Sequence, residues 1–456
     1  MSQRFKTNPP ATSRPTWREY QVGLKKASNK ERLGKRSLKF SALCLILFVL
    51  FYGLIVVIGE ESFFQTQAHH FVSSDNKRND SRVDHAKIFD KRDLKTLIDS
   101  NTFTNLERRR FDVVSGALNF RIDTSIDIAL QSVLLKEMKQ SIARSTGIVC
   151  MDPETGKVLS MVGFDKSDAS NNPCIDNRFP AASIFKIVTA SAAIEECGFN
   201  LDSKLKFNGK RHTLYKSQLK ERTNRYTRHI TFQDAFAQSI NPVFGKIGSL
   251  YLGKAVLEKY AAAFGFNRAI DFEIQFDPSP FTISDESYQW AEIASGFNRE
   301  TKISPLHGAL IASVIINQGK LIEPTIIDQI IDEKKQIIYR SNLVTINQAI
   351  APETSKTVGR LMETTIKSGT FKKSFKGYQH DKILSKLNIG GKSGSIANRS
   401  HDARYDWFVG FAEEIGGKEK IALAVLVIHG KYIGKRAGYY ARTAMKQYFG
   451  NYFASK

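Results

Sequence analysis

The sequence predicts an α+β fold in which an antiparallel sheet is flanked by helices and joined to a helical subdomain, behind one N-terminal transmembrane helix. Apolar, β-rich runs occur far apart in the chain, at residues 146–165 and 406–429. Helical patterns fill most of the sequence between them, including residues 184–196 and 305–317. Distant strands with helices between them in sequence are typical of α+β layer folds.

The predicted transmembrane helix is the uncharged run from Phe40 to Ile58, which is long enough to cross a bilayer. Residues 1–39 are rich in Lys and Arg, whereas Glu60 and Glu61 follow the run. The positive-inside rule therefore predicts a cytoplasmic N-terminus, a single pass through the cytoplasmic (inner) membrane and a periplasmic remainder. A buried core helix is the structural alternative, and a cleaved signal peptide fits less well because no small-residue cleavage site follows.

The chain has a net charge of +22. In the cytoplasm such a charge would suggest nucleic acid, but the predicted orientation disfavours that partner and favours acidic wall polymers or lipid-linked sugars. A solvated basic surface explains the charge equally well. Outside the apolar run, Cys150, Cys174 and Cys197 allow at most one internal disulfide, and their spacing does not choose the pair.

The chain divides into four predicted segments: a basic cytoplasmic tail (1–39), the transmembrane helix (40–58), a linker with a short stalk (59–145) and one large domain (146–456). In the stalk the patterns predict a short helix near residues 90–100, a strand near 118–123 and an amphipathic helix near 126–142. We expect the amphipathic helix to pack on the large domain.

The large domain opens with "TGIVCMDPETGKVLSMVGFD", two apolar runs joined by a turn, which predicts a β-hairpin. Two more strands are predicted near its end, in "DWFVGFAEE" and "KIALAVLVIHG", and a helix follows them. These four strands are expected to form one sheet, although most of the domain separates the first pair from the second.

Lys-Ser-Gly occurs twice, at residues 367–369 and 392–394. The second copy is no phosphate-binding loop, because Lys386 stands where the first glycine of that motif belongs. The first copy ends a segment with apolar residues at helical spacing, so it is predicted to be a helix end. The second copy has flexible glycines and precedes a strand, which favours a strand edge that holds a peptide.

A Lys-Ser/Thr-Gly strand has known companions, Ser-x-x-Lys and Ser-x-Asn. Ser183 and Lys186 lie at the start of an apolar helix, one turn apart on the same side. Ser239 and Asn241 interrupt an apolar helical stretch, which predicts a buried loop. The competing matches lie in polar segments or an ordinary turn: Ser203/Lys206, Ser217/Lys220 and Ser170/Asn172.

With these motifs in this order and at these spacings, the chain resembles the penicillin-binding proteins, and the resemblance covers residues 146–452. It implies a serine β-lactamase-like transpeptidase fold. It also implies a site in which Ser183 is the nucleophile and Lys186 its base, while Ser239 passes a proton to the leaving amine. The other implied roles are substrate-amide binding by Asn241, binding of the terminal carboxylate by Lys392, Ser393 and Ser395, and an oxyanion hole formed by the N–H groups of Ser183 and Ser395. Gly394 is implied as a further substrate-binding residue.

The implied function is a peptidoglycan D,D-transpeptidase that crosslinks stem peptides through a serine acyl-enzyme and is acylated by β-lactams, without metal or cofactor. The expected partners are stem peptides, β-lactams, the inner membrane and a separate glycosyltransferase, because residues 59–145 are too few for that module. The alternatives are a D,D-carboxypeptidase, a β-lactamase, a noncatalytic penicillin sensor and a wall-synthesis scaffold. No clear general-base glutamate for fast deacylation occurs in residues 276–290.

Overall fold

The computed structural model describes residues 89–115 and 118–456. The predicted tail, the apolar run at residues 40–58 and most of the linker therefore lie outside the described residues. Within the described part of the chain, no helix combines the length and the apolar character that a membrane crossing requires.

The described chain contains both helices and strands. The helices are α1 (Lys91–Leu97), α2 (Ile128–Lys139), α3 (Lys186–Cys197), α4 (Phe232–Ala237), α5 (Asn241–Lys246), α6 (Gly253–Ala263), α7 (Ser287–Ser295), α8 (Pro305–Ile316), α9 (Pro352–Lys367) and α10 (Ala437–Ser455). The strands are β1 (Arg110–Ser115), β2 (Leu118–Thr124), β3 (Ser145–Met151), β4 (Val158–Asp165), β5 (Phe179–Pro180), β6 (Lys204–Phe207), β7 (Arg228–Thr231), β8 (Lys302–Ile303), β9 (Lys320–Ile322), β10 (Ile327–Ile331), β11 (Ile337–Arg340), β12 (Thr345–Gln348), β13 (Leu387–Ala397), β14 (Arg404–Glu414) and β15 (Lys420–His429).

The central sheet is antiparallel and has the order β13-β14-β15-β3-β4. It confirms the predicted α+β fold, since the opening hairpin pairs with strands from the far end of the domain. Side chains along β15 alternate between two cores: Ala424 and Leu426 pack with α8, whereas Val425 and Val427 pack with α2 and α10. Both faces are covered, which explains why this strand is apolar along its length.

A second sheet has four strands in the order β1-β2-β10-β11. Its central pairing joins β2 to β10, so the described part of the predicted stalk shares a sheet with the region that follows residue 145. The predicted short helix, strand and amphipathic helix of the stalk are confirmed as α1, β2 and α2. Leu130 and Leu134 of α2 are buried in the same core as Tyr440 of α10, so α2 packs on the large domain as expected.

The region between the two halves of the central sheet is less helical than predicted, because it also holds β5 to β12. These strands are two to five residues long, too short for a clear period-two pattern. Helices α3 to α7 form the predicted helical subdomain beside β13. Cys150, Cys174 and Cys197 are all free thiols, and the first two are buried, so no disulfide links the described residues.

Candidate active site

The site is built around Ser183, which lies in a 3-10 turn (Ala182–Phe185) that leads directly into α3. The residue before it, Ala182, has φ +48°, a strained left-handed conformation for alanine. Neighbours hold this turn in place: Trp407 of β14 donates its indole N–H to Pro180 O at 2.9 Å. Gly296 packs against the turn with φ +64°, and a Cβ there would lie 1.9 Å from Ala182 O.

Lys186 is buried one turn after Ser183. Its Nζ lies 2.8 Å from Ser183 Oγ and 2.8 Å from Asn241 Oδ1, and it also donates to the backbone carbonyl of Ser295. Burial lowers the pKa of Lys186 well below its usual value, and the nearby positive charge of Lys392 lowers it further. Burial is the larger of the two causes.

Ser239 and Asn241 lie in the loop and first turn between α4 and α5, and both are buried as predicted. Ser239 has φ +54°, so the backbone on this side of the site is also held in a left-handed conformation. The Asn241 amide donates to His212 O at 3.1 Å, which leaves its oxygen directed at Lys186. The two residues thus face Ser183 from the helical subdomain.

Lys392, Ser393, Gly394 and Ser395 lie on β13, the predicted edge strand. The buried Nζ of Lys392 donates to Ser239 Oγ at 3.0 Å and to Ser393 O at 3.0 Å. Burial lowers the pKa of Lys392 to about 7. Gly394 brings the strand close to the Ser183 turn, because a Cβ at that position would lie 3.2 Å from Ala181 O. All eight predicted site residues therefore gather around one position in the fold.

An open cleft of about 610 Å³ lies between β13 and the helical subdomain, and five of the eight predicted site residues line it: Ser183, Ser239, Asn241, Ser393 and Ser395. Arg299, Arg404 and Arg436 also line it, and no motif in the sequence pointed to them. The first Lys-Ser-Gly copy is nearby as well: α9 ends at Lys367 as predicted, and the hydroxyl of Thr370 lies 2.6 Å from Ser393 Oγ. The residue that follows the first copy therefore contacts the second copy at the cleft, which the sequence did not predict.

The competing Ser-x-x-Lys and Ser-x-Asn matches lie elsewhere. Ser217 is exposed in a short turn, and the Ser203 hydroxyl accepts a hydrogen bond from Asn200 N at 2.9 Å. Ser170 bonds Asp168 in a surface turn, whereas Asn172 is buried and donates to Ser100 O. None of these side chains lines the cleft.

Residues 146–449 match the family described as the penicillin binding protein transpeptidase domain. This chain belongs to that family. Among curated proteins, the penicillin-binding protein relatives include stage V sporulation protein D of Bacillus subtilis, 28% identical over 63% of this chain and 47% of that protein. The peptidoglycan D,D-transpeptidase PbpA of Mycolicibacterium smegmatis is 22% identical over 68% of this chain and 67% of that protein.

Solved structures show the same penicillin-binding fold. The D,D-transpeptidase domain of a peptidoglycan glycosyltransferase from Eggerthella lenta has a TM-score of 0.59, with 20% identity over 73% of this chain and 83% of that one. Penicillin-binding protein A of M. tuberculosis, solved as a ceftriaxone acyl-enzyme complex, has a TM-score of 0.58, with 20% identity over 72% of this chain and 79% of that one. The present chain spans about half the length of several curated relatives that it matches, 47% of the first and 50% of penicillin-binding protein 3 of Bacillus subtilis.

Proposed function

We propose that this chain is a serine-type D-Ala-D-Ala transpeptidase that crosslinks peptidoglycan stem peptides and is acylated by β-lactams. The observation that carries the proposal is the position of Lys186, whose buried Nζ lies 2.8 Å from Ser183 Oγ. A serine hydroxyl needs a base to become an effective nucleophile. Since burial and the charge of Lys392 both disfavour the ammonium form of Lys186, that side chain can act as the base.

In the proposed acylation, Ser183 Oγ attacks the carbonyl carbon of the penultimate D-Ala and its proton passes to Lys186. The tetrahedral oxyanion accepts hydrogen bonds from the N–H groups of Ser183 and Ser395. The amide C–N bond then breaks, and Ser239 passes a proton to the leaving nitrogen, so that the terminal D-Ala departs and an ester with Ser183 is left. Ser239 suits this role because it lines the cleft with Ser183 and its hydroxyl accepts a hydrogen bond from Lys392 Nζ at 3.0 Å.

In the proposed deacylation, an amine of a second stem peptide attacks the ester, the ester C–O bond breaks and Ser183 Oγ regains a proton. Asn241 holds the amide of the donor peptide, while Lys392, Ser393, Gly394 and Ser395 hold its terminal carboxylate. Asp406 is the one carboxylate among the described residues that line the cleft, and it accepts a hydrogen bond from Ala437 N at 3.2 Å. No glutamate lines the described cleft as a candidate base for water, which supports transfer to an amine over hydrolysis.

The proposal extends to location and partners. The basic tail and the apolar run at residues 40–58 would anchor the chain in the cytoplasmic membrane, with the catalytic domain on the periplasmic side. There it would meet stem peptides and work beside a separate glycosyltransferase. A protease-protection assay on membrane vesicles tests this orientation: protection of residues 89–456 in inverted vesicles is the expected result, and their cleavage there would contradict it.

The activity is tested by labelling the purified protein with a fluorescent penicillin and following the label with time. Ser183→Ala should abolish labelling, whereas Ser217→Ala, which removes the serine of an exposed Ser-x-x-Lys match, should not. Rapid loss of label from the wild type would instead indicate a β-lactamase. No label on a well-folded protein would indicate a scaffold. Incubation with a D-Ala-D-Ala peptide and an acceptor amine then separates a transpeptidase, which forms the crosslinked product, from a carboxypeptidase.

A further inference from the structure

Three arginines line the cleft beside the last residues of β13, Ser395 to Ala397. Arg299 donates its Nε–H to Ala397 O at 2.9 Å, and Arg404 donates its Nε–H to Ser395 Oγ at 2.8 Å. Arg404 also lies opposite Ala397 in the pairing of β13 with β14. Arg436 lines the same cleft. Arg299 and Arg404 each make this hydrogen bond through Nε, so the terminal NH groups of both side chains remain available to a ligand.

The carboxylates near these arginines already have other hydrogen-bond or ion-pair partners. Glu300 pairs with Arg399 at 3.1 Å, Asp402 pairs with Arg144 at 2.9 Å, and Asp406 accepts from Ala437 N. In the part of the chain that the structure describes, none of the three cleft arginines has a carboxylate within ion-pair distance. Three guanidinium groups lining one cleft with a single carboxylate create a site that favours an anionic ligand.

The position of these arginines along β13 indicates which part of a substrate they meet, a step that rests on the proposed function. A peptide bound to the open edge of β13 as an added strand would have its C-terminal carboxylate near Ser393 and its penultimate residue beside Ser395. The peptide would then run toward Ala397, whose backbone carbonyl accepts the hydrogen bond from Arg299. The third residue from the peptide's C-terminus therefore lies beside residues 396–397.

We propose that the cleft selects a stem peptide whose third residue from the C-terminus carries a free side-chain carboxylate, which Arg299 and Arg404 bind. A guanidinium fork matches a carboxylate in two parallel hydrogen bonds, whereas a side-chain amide loses the charge and a lysine brings a like charge. The terminal carboxylate does not account for Arg299, because Ala397 is four residues from Ser393, about 13 Å at about 3.3 Å per residue.

Two donor peptides that differ in one group test this inference. Both end in D-Ala-D-Ala, and the residue before is meso-diaminopimelate with its side-chain carboxylate free in one and amidated in the other. The rate of D-Ala release, measured at several peptide concentrations, gives kcat/KM for each peptide. We expect the wild type to prefer the free carboxylate by about tenfold to a hundredfold, as hydrogen bonds to charged groups imply. The ratio should fall toward one in Arg299→Gln and Arg404→Gln.

The matched control is Arg340→Gln, which removes an exposed arginine of β11 that bonds Gln329 in the other sheet. It should keep the preference of the wild type. Equal kcat/KM values for the two peptides in the wild type, or a preference that survives in the Arg299→Gln/Arg404→Gln double variant, would overturn the inference. Labelling by penicillin separates this failure from a failure of the proposed function: a labelled enzyme without the preference loses only the inference, and an unlabelled one loses both.

Discussion

Two glycines of this fold have nearly the same backbone conformation but different surroundings, and together they predict how tightly the Ser183 turn is held. Gly198 ends α3 with φ +65° and ψ +25°, and Gly296 ends α7 with φ +64° and ψ +26°. A Cβ at Gly198 would meet nothing within 4 Å. A Cβ at Gly296 would lie 1.9 Å from Ala182 O and 2.7 Å from Ser183 N.

Gly198→Ala and Gly296→Ala share the cost of a left-handed alanine, about 1–2 kcal/mol. Only Gly296→Ala adds a steric overlap. Because real Cβ contacts are essentially never under 3.0 Å, the backbone around Ala182 has to move by about 1 Å. Such overpacking costs about 1–3 kcal/mol more, and a displacement of about 1 Å in an active site can cost about a hundredfold in rate. We expect acylation of Gly296→Ala to be about a hundredfold slower than that of Gly198→Ala.

The assay is the second-order rate constant for acylation by a fluorescent penicillin, with thermal unfolding measured on the same samples. Gly198→Ala should lower the thermal stability and leave the acylation rate nearly normal. Gly296→Ala should lower both the thermal stability and the acylation rate. If the two variants acylate at the same rate, Gly296 does not hold Ser183 in place. If Gly296→Ala is no less stable than Gly198→Ala, the predicted overlap is relieved without cost and the reasoning is wrong.

Two further predictions concern the two buried lysines of the site and the contact between Thr370 and Ser393. Acylation should fall in acid, because the base Lys186 is then protonated. It should also fall as the pH rises past the lowered pKa of Lys392, about 7, because Lys392 then loses the charge that holds the carboxylate; a rate that still rises through pH 9 would show that acylation does not need that charge. Thr370→Val should slow acylation about twofold to tenfold by removing the hydroxyl that contacts Ser393, with little change in thermal stability because that contact is exposed. Thr370→Ser should keep the rate of the wild type. Thr357→Val, the same change at a partly exposed position of α9, should leave the rate unaltered; an equal loss in Thr357→Val would refute a specific role.

The sequence predicted the central sheet and the motif residues because their signals are local. The hairpin at residues 146–165 has apolar runs around a turn, and Ser183 and Lys186 are spaced to share one helix face. The order of the three motifs then selected one match of each kind from several. The structure brings the motif residues together: some line one cleft, and Lys186 and Lys392 contact Ser183 and Ser239 there.

The remaining features depend on contacts between distant parts of the chain. Strand β10 has no distinctive pattern, so its pairing with β2 could not be read from either segment. Arg299 lies on a loop and reaches Ala397 only in the folded chain. The dominant cause of the lowered pKa of Lys186 is burial, which is a property of the whole packing around it and not of a neighbouring charge in the sequence.

The pairing of β3 with β15 also governs when the protein becomes functional during its own synthesis. Met151 is paired with Ala422, so the hairpin made early from the chain has no sheet to join until almost all of the domain has emerged. Long-range pairing of this kind makes folding slow and leaves strand edges open in the meantime. Lys392 is also synthesised late, and it completes the site only when β13 pairs with β14. Ser183 would therefore be inert on the growing chain and become reactive only after β13, β14 and β15 have emerged and paired.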